Sequence, residues 1–272
     1  MAVAFRRFAI VGCGLIGGSI ELAIRERLHG ADVIMLDRGD DLAAVSNADL
    51  VILSAPICAN IRILPFLRPH LASHAVVTDT GSTKATIVGA AAGMRFVGGH
   101  PIAGAATSGR AASRADLFSG RPWLLTPRVE TLTADVEHVR DFAEALGASV
   151  RLVDADEHDR LFAWLSHLPQ LAISTLMHLA GSAVGADRLT LAGPGLRDST
   201  RLASSPPEIW RDILQTNHGN IASSLDALIA VLGRLRDDPS GEVLTEIFES
   251  AVAWKRVLDD AGGGGLRSGE TK

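Results

Sequence analysis

Short apolar runs alternate with amphipathic stretches along the first half of the chain. Each run ends in polar or turn residues, and the stretches between runs carry apolar residues at helical spacing. This alternation is typical of a parallel sheet covered by helices on both faces. The runs predict strands at residues 8–11, 33–36, 50–54, 75–78, 95–98, 123–126 and 149–152.

The pattern changes near Asp154. Residues 161–179, 207–235 and 241–258 form long stretches with few prolines and apolar positions at helical spacing, so we predict an all-helical second half. We place the two domains at residues 1–154 and 155–261, followed by a glycine-rich tail at 262–272 that we expect to be disordered. The helical half is so apolar that we expect part of its surface to be buried in a homodimer.

The charge and the cysteines exclude several classes of protein. A net charge of -5, from 26 Lys and Arg against 31 Asp and Glu, gives no footprint for nucleic acid or an anionic membrane. No apolar run reaches the roughly eighteen residues of a membrane span. Cys13 and Cys58 lie in apolar stretches and are interpreted as buried free thiols in a reducing cytoplasm, with a disulfide as the alternative.

Three glycines after the first predicted strand have the spacing of a dinucleotide-binding turn. Gly12 permits the tight turn, Gly14 lets phosphates approach the backbone, and Gly17 lets helix and strand pack closely. The motif alone is weak, but it lies between a strand and a helix, which is the context it requires. We therefore predict a Rossmann-type doubly wound sheet with a cofactor at this turn, contacted also by Leu15 and Ile16.

Asp37 ends the second predicted strand and favours NAD. Its carboxylate can accept hydrogen bonds from ribose hydroxyls and would repel a 2′-phosphate. Arg38 could accept such a phosphate, so NADP is the less favoured alternative. Ser54 and Pro56, after the third strand, are further candidates for cofactor binding. The competing interpretation is a glycine-rich turn in a protein that binds no nucleotide, with Asp37 as a solvated loop charge.

Residues 79–84 and 98–104 follow two further strands and should lie at the same edge as the cofactor. A dehydrogenase needs a base for the hydroxyl proton while hydride leaves the carbon, and histidine titrates in the useful range. His100 is the candidate base. Standing alone, it would be better explained as a histidine of the core.

The chain carries a series of motifs in order: VGCGLIGGS (11–19), DTGSTK (79–84), GHPIAG (99–104), EHD (157–159), SHLP (166–169) and RDSTR (197–201). Taken together, these motifs resemble the prephenate/arogenate dehydrogenase family. The resemblance implies oxidation of a cyclohexadienyl carboxylate by NAD(P), with loss of the ring carboxylate as carbon dioxide. Prephenate would give 4-hydroxyphenylpyruvate, and arogenate and 4-amino-4-deoxyprephenate are alternative substrates.

The resemblance also implies roles for particular residues. His100 would accept the C4 hydroxyl proton, and Ser82 would hydrogen-bond near this histidine and the nicotinamide. His167 would help to hold the substrate. Arg201 would bind a carboxylate, with Arg197 as a second candidate, and this agrees with the need for a bidentate cation in a chain without a basic patch. No metal is expected, because no His, Cys and carboxylate cluster has ligand spacing.

Simpler explanations exist for two of these residues. His167 could merely pack under Pro169, and Arg201 could form a surface ion pair with Asp198 or Glu208. Two other functions also compete. A dehydrogenase of another hydroxy acid would typically use a lysine of the helical domain, but the chain has none between residues 84 and 255. A non-catalytic NAD-binding protein would bind the cofactor without turnover.

The chain departs from the family pattern in two places. The segment between Asp37 and Asp49 is too short for the helix and strand that usually lie there, so the adenine side of the pocket should be thin. Residues 105–107 read Ala-Ala-Thr, where many relatives have Thr-Glu-Lys, so a carboxylate near the mouth of the site is missing. Its loss should reduce repulsion of an anionic substrate or change which ring substituent is accepted.

Overall fold

The strands of the first half form one sheet in the computed structural model, which describes residues 3–104 and 109–263. Each predicted run overlaps one strand. The strands are β1 (Arg7–Val11), β2 (Asp32–Leu36), β3 (Leu50–Leu53), β4 (Val76–Asp79), β5 (Phe96–Pro101), β6 (Pro122–Thr126) and β7 (Ser149–Leu152).

The strands lie in the order β2-β1-β3-β4-β5-β6-β7. Neighbouring strands from β2 to β5 are parallel, β6 is antiparallel to β5, and β7 is parallel to β6. The carboxyl ends of β1 to β5 therefore lie at one edge of the sheet. The glycine turn follows β1 at that edge, and His100 lies near the end of β5 at the same edge.

Residues of β1 alternate between two apolar cores. Phe8 and Ile10 belong to one core, and Ala9 and Val11 belong to the other. Successive side chains of a strand point to opposite faces, so the two cores lie on the two sides of the sheet. The doubly wound Rossmann-type fold is confirmed. Helices α1 (Leu15–Arg27) and α4 (Thr133–Ala145) contribute to the first core, and α2 (Ile57–Leu67) and α3 (Ala85–Ala90) to the second.

The short segment between Asp37 and Asp49 contains a 3-10 helix, Leu42–Asn47, and no strand. As a result β2 is the outer strand on its side of the sheet. The helix and strand that the family pattern would place between Asp37 and Asp49 are therefore absent from this described segment.

The second half is helical, as predicted. The stretch at residues 207–235 is divided into two helices at Asn217, which has φ -132. The first long helix is also interrupted, at Gly185 with φ +76. The elements are α5 (Ala155–Phe162), a π-helical turn (Ala163–His167), α6 (Leu168–Leu189), α7 (Pro194–Ser199), a 3-10 turn (Arg201–Ser204), α8 (Pro207–Thr216), α9 (His218–Arg236) and α10 (Glu242–Gly263).

The chain forms two compact units, one ending at Ile221 and the other beginning at Ala222. Helices α5 to α8 thus belong to the same unit as the sheet, and the domain boundary near Asp154 stays a prediction. Helix α10 includes the first two glycines of the predicted tail, and residues 264–272 lie outside the described residues.

Two further features bear on the expectations drawn from composition. Within the described ranges, no helix is both long and apolar enough to cross a membrane. Cys13 and Cys58 are free thiols, but both are half-buried rather than buried.

Candidate active site

The glycine turn between β1 and α1 has the shape that a dinucleotide needs. Gly12 has φ +111, and a Cβ on Gly17 would lie only 2.0 Å from the carbonyl oxygen of Gly12. These two positions therefore require glycine for the turn and for close packing. A Cβ on Gly14, by contrast, would meet no atom within 4 Å. The open side of the turn has room for a phosphate against the backbone at the start of α1, so the turn fits NAD.

Other residues predicted to bind the cofactor lie along the same edge. Asp37 and Arg38 follow β2 and are exposed, and the carboxylate of Asp37 accepts the backbone N–H of Arg38 at 2.8 Å. Ser54 follows β3 and accepts a hydrogen bond from Thr80 at 3.2 Å, while Pro56 directly precedes α2. Their contacts with NAD stay predictions.

His100 lies near the end of β5 with its side chain only 9% exposed. Its ring contacts the ring of Phe162, with centroids 4.8 Å apart, and its Nδ1 lies 2.8 Å from Nε2 of His158. Burial, followed by the neighbouring His158 and Lys84, holds the pKa of His100 well below its usual 6.5. His100 is therefore neutral near pH 7, which is the form that can accept a proton.

His158 and Asp159, adjacent in α5, connect His100 to the segment after β4. Nδ1 of His158 lies 2.8 Å from Oδ1 of Asp159. The Asp159 carboxylate also accepts the backbone N–H groups of Lys84 at 2.7 Å and Ala85 at 2.9 Å. Burial lowers the pKa of His158, and its hydrogen bond to Asp159 opposes that shift. The pair thus positions α5 against the sheet.

A buried ion pair fixes β4 against β5 next to the histidines. The ammonium group of Lys84 donates to the carboxylate of Asp79 and, at 2.7 Å, to the carbonyl of Gly99. Asp79 also accepts the N–H groups of Gly81 at 2.8 Å and Gly99 at 3.0 Å. Burial lowers the pKa of Lys84, and Asp79 opposes this. Removing one partner of such a pair would leave an uncompensated buried charge, so the fold needs both residues.

His167 ends the π-helical turn and is completely buried. Nδ2 of Asn217 donates to the carbonyl of Asp159 at 2.7 Å and lies 3.3 Å from Nδ1 of His167. Asn220 donates to Oδ1 of Asn217 at 2.8 Å, which fixes the orientation of the amide. Nδ1 of His167 therefore accepts, and its proton is on Nε2.

Nε2 of His167 has no hydrogen-bond partner among the described residues. Burial lowers the pKa of His167 from 6.5 to about 4, so the ring is neutral near pH 7. A buried N–H donor without an acceptor costs about 1–3 kcal/mol. An oxygen atom of a ligand would satisfy this donor, and the role of His167 in substrate binding stays a prediction. The expectation that His167 merely packs under Pro169 does not account for this donor.

The remaining predicted site residues are less tightly placed. Ser82 is half-buried and forms no hydrogen bond with a described residue, and its predicted hydrogen bonding near His100 and the nicotinamide stays a prediction. Arg201 and Arg197 are exposed, and within the described ranges neither forms an ion pair. The expected surface pair of Arg201 with Asp198 or Glu208 is therefore absent. The altered segment at residues 105–107 lies outside the described residues.

The turn that carries Arg201 is nevertheless anchored near His167. Gln170, in the first turn of α6, is buried and donates to the backbone carbonyl of Leu202 at 2.7 Å. Ser205 donates to the amide oxygen of Gln170 at 3.2 Å. The 3-10 turn beginning at Arg201 is thus held against the start of α6, which directly follows His167.

Sequence reasoning gave no role to His158, Asp159, Lys84 or Asn217. The EHD and DTGSTK motifs contain three of them; EHD was noted only as part of the resemblance, and DTGSTK was placed at the cofactor edge without a role for Lys84. The sequence did contain a signal for these residues, because ionisable residues recur at the ends of apolar strands and helices. Their partners lie far away in sequence, so only the fold could join them. In the described part of the chain, no group of His, Cys, Asp and Glu residues is arranged to hold a metal ion.

Comparisons with known proteins agree with this geometry. A family model described as the nucleotide-binding domain of prephenate dehydrogenase matches residues 19–152, and one described as its dimerization domain matches residues 154–248. The chain is 30% identical to cyclohexadienyl dehydrogenase of Zymomonas mobilis, over 93% of this chain and 96% of the relative. It is 31% identical to prephenate dehydrogenase of Bacillus subtilis, over 92% of this chain and 75% of the relative.

Solved structures show the same similarity. Prephenate dehydrogenase from A. aeolicus, in complex with hydroxyphenyl propionate and NAD+, aligns with a TM-score of 0.81 at 26% identity, covering 96% of this chain and 98% of that one. Arogenate dehydrogenase from Synechocystis aligns with a TM-score of 0.75 at 27% identity, covering 92% and 99%.

Proposed function

The chain belongs to the prephenate dehydrogenase family, and from this we propose that it is an NAD-dependent enzyme that converts prephenate to 4-hydroxyphenylpyruvate and carbon dioxide. This reaction belongs to tyrosine biosynthesis. The observation that carries the proposal is a buried, neutral histidine, His100, at the sheet edge that also carries the glycine turn.

His100 acts as the base in this reaction. Its imidazole takes up the proton of the C4 hydroxyl while the C4 hydrogen leaves with its electron pair as hydride. The bond to the ring carboxylate breaks, carbon dioxide leaves, and the electrons of that bond make the ring aromatic. His100 then returns the proton to the oxygen of the phenol. NAD, when bound, supplies the hydride acceptor, and Gly12, Gly14 and Gly17 hold its pyrophosphate at the start of α1.

Side chains that donate hydrogen bonds recognise the substrate. The unpartnered Nε2–H of His167 donates to a substrate oxygen. Arg201, free of ion pairs with described residues, binds a carboxylate through its guanidinium, with Arg197 as the second candidate. Ser82, exposed in part after β4, orients the substrate hydroxyl and the nicotinamide.

Arogenate is the second candidate substrate. It shares the ring that reacts and differs in its side chain, and one similar structure is an arogenate dehydrogenase. Discrimination between the two depends on one or two polar contacts with that side chain. 4-Amino-4-deoxyprephenate is the third candidate, because the segment at residues 105–107 lacks the carboxylate of many relatives.

We also propose that the protein is a homodimer and that it is located in the cytoplasm. The helices of the second half expose large apolar side chains, and a homodimer would bury some of them. The free thiols Cys13 and Cys58 fit a reducing cytoplasm. The most exposed of these apolar side chains in the described residues are Leu165, Leu191, Ile229, Phe248, Trp254 and Leu258.

Absorbance of NADH tests the proposed function. Purified protein is given prephenate, arogenate or 4-amino-4-deoxyprephenate, each with NAD and with NADP. We expect the highest kcat/KM with prephenate and NAD. Turnover of only another substrate would replace the proposed one, and NAD binding without turnover of any of the three would indicate a non-catalytic NAD-binding protein.

A further inference from the structure

Asp159 fixes the direction of a chain of hydrogen bonds that ends at His100. Its two carboxylate oxygens accept the backbone N–H groups of Lys84 and Ala85. The carboxylate therefore also accepts a hydrogen bond from its third neighbour, His158. Nδ1 of His158, 2.8 Å from Oδ1 of Asp159, must donate.

The direction is passed on through His158. A neutral imidazole has one N–H, and His158 uses it toward Asp159, so its Nε2 has a lone pair. Burial lowers the pKa of His158, which favours this neutral form. Nε2 of His158 lies 2.8 Å from Nδ1 of His100, so Nδ1 of His100 must carry the proton. The lone pair of a neutral His100 is then on Nε2.

We infer that His158 and Asp159 are positioning residues that hold His100 in the tautomer with its proton on Nδ1 and its lone pair on Nε2. The inference rests on the proposed function, in which that lone pair accepts the hydroxyl proton of the substrate. When Nε2 takes up this proton, the Nδ1–H bond to His158 is retained. The opposite tautomer would present an N–H to the hydroxyl group and could not act as a base.

Phe162 fixes the planes of both rings. Its ring is stacked on that of His158 with centroids 4.5 Å apart and an angle of 13°, and it also contacts His100 at 4.8 Å. The two imidazoles therefore have little freedom to rotate away from each other. The charged and titratable groups that face the histidine pair are Lys84 and Asp79 on the sheet side, and Asp159 and His167 on the helical side.

Two variants of His158 separate positioning from folding. In His158→Gln the amide oxygen can replace the lone pair of Nε2 and still accept from His100, so we expect kcat to stay within about tenfold of wild type. His158→Leu removes the acceptor and should lower kcat on the order of 100-fold or more, with little change in the KM for NAD. If His158→Gln and His158→Leu lost kcat equally while having the same thermal stability, the inference would be overturned.

The tautomer can also be measured directly. Spectra of the full-length protein labelled with 15N-histidine report which ring nitrogen carries the proton, and the signals of His100 are those that disappear in His100→Asn. We expect the proton on Nδ1 in wild type and in His158→Gln, and a shift toward Nε2 in His158→Leu if that variant folds. A wild-type proton on Nε2, with His158 charged, would overturn the inference.

The two experiments distinguish this inference from the proposed function. The NMR measurement needs no turnover, so it gives a result even if none of the three substrates reacts. Normal turnover of prephenate with the His100 proton on Nε2 would contradict the role of His158 and Asp159 and the use of Nε2 as the base, while the proposed substrate and cofactor would stand.

Discussion

The amide of Asn217 lies against Nδ1 of His167, 3.3 Å away, and leaves the N–H of the same ring buried without an acceptor. A protein that keeps such a donor loses stability in the free state. The donor recovers that free energy only when a ligand oxygen arrives. If substrate binds at His167, as proposed, we therefore expect its binding and the stability of the fold to be coupled there.

His167→Leu should raise the KM for prephenate. The lost hydrogen bond is worth about 1–3 kcal/mol, which corresponds to roughly 5- to 150-fold in KM. Steady-state kinetics at saturating NAD measure it. His178→Leu, an exposed histidine of α6, is the matched control and should leave KM unchanged. Equal KM values in both variants would return His167 to a purely structural role.

The fold should lose stability as the pH falls below about 6.5. The pKa of His167 is about 4 in the folded state against 6.5 unfolded, so the unfolded chain binds more protons between these values. Each pH unit in that window then lowers the free energy of unfolding by about 1.4 kcal/mol for this residue. His100 and His158, whose pKa values are also lowered, act in the same direction.

Urea denaturation between about pH 7 and about pH 5 measures this dependence. The His167→Leu variant should show a smaller slope, since one of the three contributing groups is gone. A free energy of unfolding that stays constant over this range would contradict the buried, neutral state of these histidines.

Arg201→Ala should raise the KM for prephenate roughly 10- to 150-fold, because a charge-assisted hydrogen bond contributes about 1.5–3 kcal/mol. Arg201→Lys keeps the charge but not the planar fork, so it should restore only part of the loss. Arg197→Ala serves as the comparison and should have the smaller effect. A larger effect at position 197 would exchange the roles of the two arginines.

The glycines of the turn should separate fold stability from cofactor binding. In Gly17→Ala the new Cβ meets the carbonyl oxygen of Gly12, so unfolding should become easier by about 1–3 kcal/mol. In Gly14→Ala the Cβ meets no protein atom, so stability should change by less than about 1 kcal/mol while the KM for NAD rises. Gly89→Ala, also with open space around it, is the control for both measurements. Unchanged NAD binding in Gly14→Ala would place the phosphates elsewhere.

His100→Asn should lower kcat by about 100- to 10,000-fold, the usual contribution of a general base, with NAD affinity nearly intact. Stopped-flow and steady-state NADH absorbance give kcat, and NAD titration gives the affinity. His29→Asn, an exposed histidine after α1, should behave as wild type. A kcat close to wild type would remove His100 from the chemistry.

The inner strands β1, β3, β4 and β5 were predictable because they are buried almost throughout and largely appear as continuous apolar runs. β7 was placed with the same bounds as observed. The break at Asn217 was not predictable, since apolar residues at helical spacing continue on both sides of it. The side chain of Asn217 at this break donates to the backbone carbonyl of Asp159, 58 residues earlier in the chain, which no local pattern indicates.

The candidate site was predictable only in part, for a related reason. His100 could be placed at the cofactor edge because a strand end and a glycine turn share that edge in this fold. Its partner His158 is also 58 residues away and lies in a helix, so no local pattern joins the two. The orphan donor of His167 could not be foreseen either, since it depends on the orientation of the Asn217 amide.

The reversal of β6 has a consequence for how this enzyme family can vary. A chain that leaves β5 at the cofactor edge and enters an antiparallel neighbour starts that neighbour at the same edge, without crossing the sheet. The exposed residues between Pro101 and Pro122 can thus vary while both strands keep their register, whereas Leu117 and Phe118 in the same connection are buried in the first core. Selection can therefore remodel the exposed part of this connection at little cost to the hydrophobic interior, and we expect new substrate preferences to arise there first.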